Sequence, residues 1–236
     1  MSDTSFECGV VAKDEARYPE RLRQLADAPP RLYYRGRWED ALFAQCLAVV
    51  GTRRMTRYGT QVTEALVAPI AAAGVTIVSG FMFGIDAVAH RAALAAGGRT
   101  IAVMPCGIER IHPAHQEVLY RDILRRGLVL SELPGTSAAA LWTFPKRNRI
   151  VAGLSQATLV IEGTEESGAL ITAAFARRYG RRVFAVPGPV TSPVSLGPIQ
   201  LLREGAAVAA RAEDVLAYYS LAERVTPRGG LRRRPQ

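Results

Sequence analysis

A chain of 236 residues, 49% of them hydrophobic, with a mean hydropathy of +0.07, is long and apolar enough to bury one core and too mixed to be disordered. No stretch reaches the ~18–20 uninterrupted apolar residues of a membrane span. The net charge of +9 favours an anionic partner, but Arg224, Arg228, Arg232, Arg233 and Arg234 supply five of those charges, leaving 25 basic and 21 acidic groups in residues 1–223.

Met1-Ser2-Asp3-Thr4 lacks the basic-then-apolar pattern of a secretion signal. Cys8, Cys46 and Cys106 are odd in number and lack CxxC spacing, which argues against a disulfide framework and a zinc site. A cytoplasmic protein is expected, without a membrane partner. The first 45 residues, rich in Pro and Arg, show no clear period and are expected to form a lead-in packed on the core.

From residue 47 onward, short apolar runs alternate with helical stretches. The runs are 47–50, 75–78, 100–104, 128–130, 158–161, 183–186 and, weakly, 206–209. Their near-continuous hydrophobicity suits strands covered on both faces. Helices are predicted near 57–73, 86–96, 115–126, 147–153, 167–179, 196–204 and 212–219. This alternation predicts an α/β fold with an extended, Rossmann-like, doubly wound and mostly parallel sheet. The Rossmann-like domain is expected over 46–220, followed by a basic, disordered tail over 221–236. Loops starting at Gly51, Ser79, Pro105, Ser131, Glu162 and Pro187 should share the carboxyl edge, where such sheets bind ligands.

Gly51-Thr52-Arg53-Arg54 combines close backbone approach, a hydroxyl and two guanidiniums ahead of a helix, a set suited to phosphate. The GxGxxG and GxxxxGK[ST] patterns are absent, which disfavours nicotinamide cofactors and ATP. In the second loop, Ser79-Gly80 opens a tight reversal that ends at Asp86, a candidate helix cap four residues before His90. Phe144-Pro145-Lys146-Arg147-Asn148-Arg149 reads as a loop with three cations and an aromatic residue, as single-stranded nucleic acid requires. Phe144 is either a base platform or a hydrophobic staple in the core. Ser167-Gly168 again sits at a helix start, although Glu162, Glu165 and Glu166 nearby suit a polyanion poorly.

No catalytic set assembles. GxSxG and HExxH are missing, the histidines are His90, His112 and His115, and Cys106 reads as structural. No catalytic residue, metal or cofactor is expected, and the chain reads as a binding protein.

Several blocks together resemble the DNA-processing protein A (DprA/Smf) family. They are Val49-Val50-Gly51-Thr52-Arg53, Ser79-Gly80 with Gly84-Ile85-Asp86, Pro105-Cys106-Gly107, Phe144-Pro145-Lys146-Arg147-Asn148-Arg149, Ser167-Gly168-Ala169-Leu170 and Val186-Pro187-Gly188. The resemblance covers roughly residues 18–210. It implies a single-stranded DNA binder that protects incoming strands in natural transformation and helps load the RecA recombinase. It also implies a homodimer through the C-terminal part of the Rossmann domain, where Ile199, Leu201, Leu202, Val215, Leu216, Tyr218 and Tyr219 concentrate apolar surface. Two departures stand out. Phe83 occupies a place where the family often has a cation, and 236 residues leave no room for the flanking domains many members carry. The alternatives are a nucleotide-sensing module or a LOG-type nucleoside-monophosphate phosphoribohydrolase, whose PGGxGTxxE loop Gly163-Thr164-Glu165-Glu166-Ser167-Gly168 does not match. DNA-binding residues are expected at Gly51, Thr52, Arg53, Arg54, Ser79, Gly80, Phe144, Lys146, Arg147, Asn148, Arg149, Ser167 and Gly168, with Lys146, Arg147 and Arg149 continuing one phosphate track from Arg53.

Overall fold

Over residues 6–221, the part of the chain that the computed structural model describes, nine strands join in one sheet. The tail expectation falls outside these residues except for Leu221. In chain order the elements are β1 (Cys8–Ala12), α1 (Glu20–Arg23), β2 (Arg31–Gly36), α2 (Ala41–Ala44), β3 (Cys46–Val50), α3 (Arg57–Ala72), β4 (Thr76–Ser79) and α4 (Ile85–Ala95). There follow β5 (Thr100–Met104), α5 (Glu117–Arg126), β6 (Leu128–Ser131), α6 (Thr143–Leu154), β7 (Ala157–Val160), α7 (Gly168–Arg178), β8 (Arg182–Ala185), α8 (Leu196–Arg203), β9 (Ala207–Val208) and α9 (Ala212–Leu216).

The strand order is β1-β2-β6-β5-β4-β3-β7-β8-β9; β6 through β9 run parallel, and β2 and β1 add an antiparallel edge. Alternation along β3 serves two cores. Cys46, Ala48 and Val50 face one layer with Val151, Leu154 and Ala173, whereas Leu47 and Val49 face the other with Leu66, Ile70 and Ala89. This double coverage is why the strand has no polar position. From β3 the chain winds outward through β4, β5 and β6, then returns over α6 to place β7 on the other side of β3. The loops leaving β3 and β7 therefore diverge, and the crevice between them is where an open α/β sheet takes its ligand.

Three sequence readings are revised. The first 45 residues, expected as an aperiodic lead-in, add two strands to the sheet: Leu32 and Tyr34 of β2 are buried on one face, Tyr33 is half-buried against the core on the other, and Arg31 is exposed. The basic segment 144–149 is helical, not a loop. Pro145 is its third helical residue, where the missing N–H has no intrahelical partner to lose. Most of the apolar surface assigned to a dimer is internal, since Leu201, Val215, Leu216 and Tyr219 are buried within their own chain and the Tyr219 hydroxyl donates to Cys46 O at 2.7 Å.

Candidate nucleic-acid interface

The β3–α3 loop begins where two layers nearly touch. A side chain at Gly51 would meet Ile85 and the Glu162 carbonyl, and one at Gly84, whose φ is +74°, would strike the Thr52 carbonyl. Thr52 N–H donates to Glu162 O (2.7 Å) and Ile85 N–H to Thr52 O (3.3 Å). With its backbone held this way, the loop presents Arg53 and Arg54 to solvent at the mouth of an open cleft of about 480 Å³.

Glu162 supports that loop from below. It is 2% exposed, and its carboxylate accepts from Thr56 N–H (2.9 Å) and the Thr56 hydroxyl (2.5 Å) while filling the space over Gly59. Thr56 in turn caps α3 by accepting from Gly59 N–H at 3.1 Å. The rim is therefore less acidic than the sequence implied: Glu162 faces inward, and Glu165 and Glu166 border a separate groove between α7 and α8. The helix N-terminus facing the cleft also differs from the one expected. Thr56 and Arg57 at the start of α3 stand outside the lining, whereas Ser167, Gly168 and Ala169 at the start of α7 belong to it. A Cβ at Gly168 would meet nothing within 4 Å, so a ligand can approach that turn closely.

α6 forms the opposite wall. Phe144 is half-buried, with the Arg53 guanidinium 5.1 Å from its ring centroid on one side and His112 edge-on at 5.7 Å. Arg147, one turn on, is 5% exposed; its Nη1 donates to Val103 O at 2.9 Å, and Nε has no partner among the described residues. Gly80 makes this possible, because any side chain there would occupy the space of the guanidinium. Burial lowers the Arg147 pKa to about 10, still protonated at neutral pH, with Asp86 acting in the opposite sense. Asn148 donates to Gly168 O at 3.2 Å and ties α6 to the α7 turn.

Ten of the thirteen expected residues thus line one cleft: Gly51, Thr52, Arg53, Arg54, Gly80, Phe144, Arg147, Asn148, Ser167 and Gly168. Ser79 is buried beneath it, its hydroxyl donating to Val49 O at 2.6 Å. Lys146 and Arg149 turn away, because residues on a helix advance by about 100° each and the cleft takes 144, 145, 147, 148 and 151 from α6. Arg149, 8% exposed, pairs with Glu132 at 2.6 Å, and Lys146 reaches the same carboxylate at 3.4 Å. The single track proposed through Lys146, Arg147 and Arg149 is thereby split between two faces of α6. Sequence reasoning missed Met82, Thr164, Ile171 and Thr172 in the lining. Only the register of α7 could have revealed Thr172, one helical turn beyond Gly168.

The remaining polar residues are committed to the scaffold. Asp86 does not cap its helix; its carboxylate accepts from Met82 N–H at 3.2 Å, and burial raises its pKa against the pull of Arg147. His90 Nδ1 lies 2.6 Å from the Thr100 hydroxyl, and burial pushes its pKa down to about 3. The Cys106 thiol donates to Arg110 O at 3.2 Å and is pushed up to about 11 by burial, far from thiolate character. Phe83, in place of a cation, stacks on His115 at 4.5 Å.

An open, mostly parallel sheet with a cationic cleft at its switch point defines a Rossmann-like domain. The chain belongs to the DNA recombination-mediator protein A family, whose profile matches residues 9–220. It is 40% identical to the DNA processing protein DprA of Bacillus subtilis over 198 residues, 84% of this chain and 67% of that one. The crystal structure of the Streptococcus pneumoniae DprA superposes with a TM-score of 0.85 at 38% identity, covering 89% of this chain and 73% of that one. DNA processing protein A from Helicobacter pylori, whose structure was described for its single-stranded DNA binding mode, gives 0.81 at 28% identity over 91% and 96%. The chain spans between 53% and 67% of the length of the first curated relatives it matches. Among the described residues, no helix is long and apolar enough to cross a membrane.

Proposed function

We propose that the cleft binds single-stranded DNA without strong sequence preference, and that the protein protects strands and presents them to the RecA recombinase in the cytoplasm. The observation that carries this reading is the Arg53 guanidinium lying over the Phe144 ring, with buried Arg147 behind them. Backbone phosphates need cations and unpaired bases need an aromatic face, and the cleft offers both within one opening. The acid in the lining, Asp86, is tied to Met82 N–H, so the reading is of a binder and not an enzyme. Fluorescence anisotropy should show a labelled oligothymidylate binding more tightly than a duplex of equal length. Log affinity should fall against log salt by roughly 0.7 per phosphate neutralised. Equal affinity for duplex, or a flat salt response, would overturn the reading.

We further propose a homodimer through the β9 edge. Val208 of β9, the sheet's outermost strand on that side, is 52% exposed, and Leu196 and Tyr218 in the same C-terminal part of the chain are exposed as well. An open edge flanked by apolar side chains favours pairing with a second copy. Light scattering on the order of 10–100 µM protein should report twice the chain mass; a monomer throughout that range would refute it.

A further inference from the structure

α6 carries a second aromatic residue that the cleft does not use. Trp142, immediately before the helix, is 60% exposed, and its neighbour Leu141 is 92% exposed. Lys146 N–H donates to Trp142 O at 3.3 Å, so the two residues stack one turn apart and the Lys146 ammonium sits 5.6 Å from the indole centroid. Glu132 is held at 2.6 Å by Arg149, which neutralises it and leaves Lys146, 44% exposed, as the surplus cation of that group. An exposed ring beside an ammonium that shares its one carboxylate with Arg149 repeats the Arg53–Phe144 arrangement on the far side of the same helical turn.

We propose that Trp142 and Lys146 form a second base-stacking subsite, which continues the single-stranded DNA path over the start of α6 beyond the cleft. This rests on the reading of the cleft as a single-stranded DNA site. Phe144 and Trp142 are two residues apart at the start of α6, so a strand that leaves the Phe144 ring and passes over the first turn of the helix reaches the indole. A base on the exposed indole face removes apolar surface from water, and its phosphate falls to Lys146. This gives Lys146 a role that its orientation away from the cleft otherwise denies it.

The chain holds two tryptophans, and Trp38 packs between Tyr34 (4.9 Å) and Phe43 (5.0 Å), remote from α6 in sequence and partly buried. In a Trp38→Phe background of the full chain, Trp142 emission should be quenched as an oligothymidylate of about 16 nucleotides is added, saturating together with anisotropy. Trp142→Ala should weaken binding roughly five- to tenfold with an unchanged salt slope, and Trp142→Phe should restore most of the loss. Lys146→Ala should lower the slope by about 0.7. Anisotropy showing binding while Trp142 emission stays constant, or an unaltered affinity for Trp142→Ala, would overturn the subsite and leave the cleft reading intact. If Trp142→Ala spared DNA affinity but lost recombinase recruitment, the patch would be a protein-docking surface and the proposal wrong. If the oligonucleotide failed to bind the unsubstituted protein, the cleft reading would fail and this inference with it.

Discussion

Arg53→Ala is expected to weaken single-stranded DNA binding by roughly ten- to a hundredfold, the equivalent of one charge-assisted hydrogen bond. Arg53 is exposed and the loop is held through the backbone of its neighbour Thr52, so its removal should leave stability within about 0.5 kcal/mol. The loss has two parts that separate experimentally. One phosphate contact disappears, which should reduce the slope of log affinity against log salt by about 0.7. The guanidinium over Phe144 disappears as well, and that part is insensitive to salt. Arg53→Lys distinguishes them: an ammonium restores the charge and hence the slope, but not the planar contact with the ring. Arg147→Ala makes a poor substitute for this experiment, because removing a guanidinium 5% exposed leaves a cavity between Gly80 and Val103 O and confuses binding with folding. A folded Arg53→Ala protein with unchanged affinity and slope would take away the main cation of the proposed site.

The sheet was legible because its strands are covered on both faces. Runs such as 100–104 and 47–50 carry no polar interruption, and no other local structure explains apolar runs of that length between amphipathic helices. The antiparallel edge was hidden for the opposite reason: β2 buries alternate positions only, and Tyr33 and Arg35 blur the pattern. At the site, sequence order identified which loops meet, because parallel strands deliver all of them to one edge. It did not give the direction of side chains on α6. Reading 144–149 as a loop let three cations point together, whereas a helix separates Arg147 from Lys146 by about 100° and from Arg149 by about 200°. Nor did it give the fate of Glu162, since an acid after a strand looks the same in sequence whether it faces ligand or backbone. The homodimer expectation met a related difficulty, because apolar residues near the chain's end serve an internal core and an interface equally well. Burial assigns Val215 and Leu216 to the core and leaves Val208 and Tyr218 outside.

Glu162→Ala is expected to cost about 2–4 kcal/mol of stability, read as a lower urea midpoint at unchanged m-value. The carboxylate is 2% exposed and receives both the Thr56 N–H and the Thr56 hydroxyl, so truncation removes the acceptor that holds both donors and leaves them to water at exposed Thr56. It also opens a void over Gly59, within the first turn of α3. The Thr52–Glu162 backbone bond would survive, but Thr56 would lose its anchor and the loop carrying Arg53 would gain freedom. DNA affinity should therefore fall with Glu162→Ala even though no acid is expected to touch a phosphate. Glu162→Gln should be milder: one amide oxygen still accepts from Thr56 N–H, the hydroxyl can turn to accept from the new amide, and the volume over Gly59 stays filled. Single-stranded DNA binding should then persist near its original strength. That pair of outcomes separates a loop support from a carboxylate used in nucleotide hydrolysis. Loss of a proton-transferring carboxylate would leave Glu162→Gln as inactive as Glu162→Ala, with stability barely moved by either. A loop support gives graded stability and graded affinity in the order Glu, Gln, Ala, and an Ala variant as stable as the parent would show that the Thr56 network does not hold the loop.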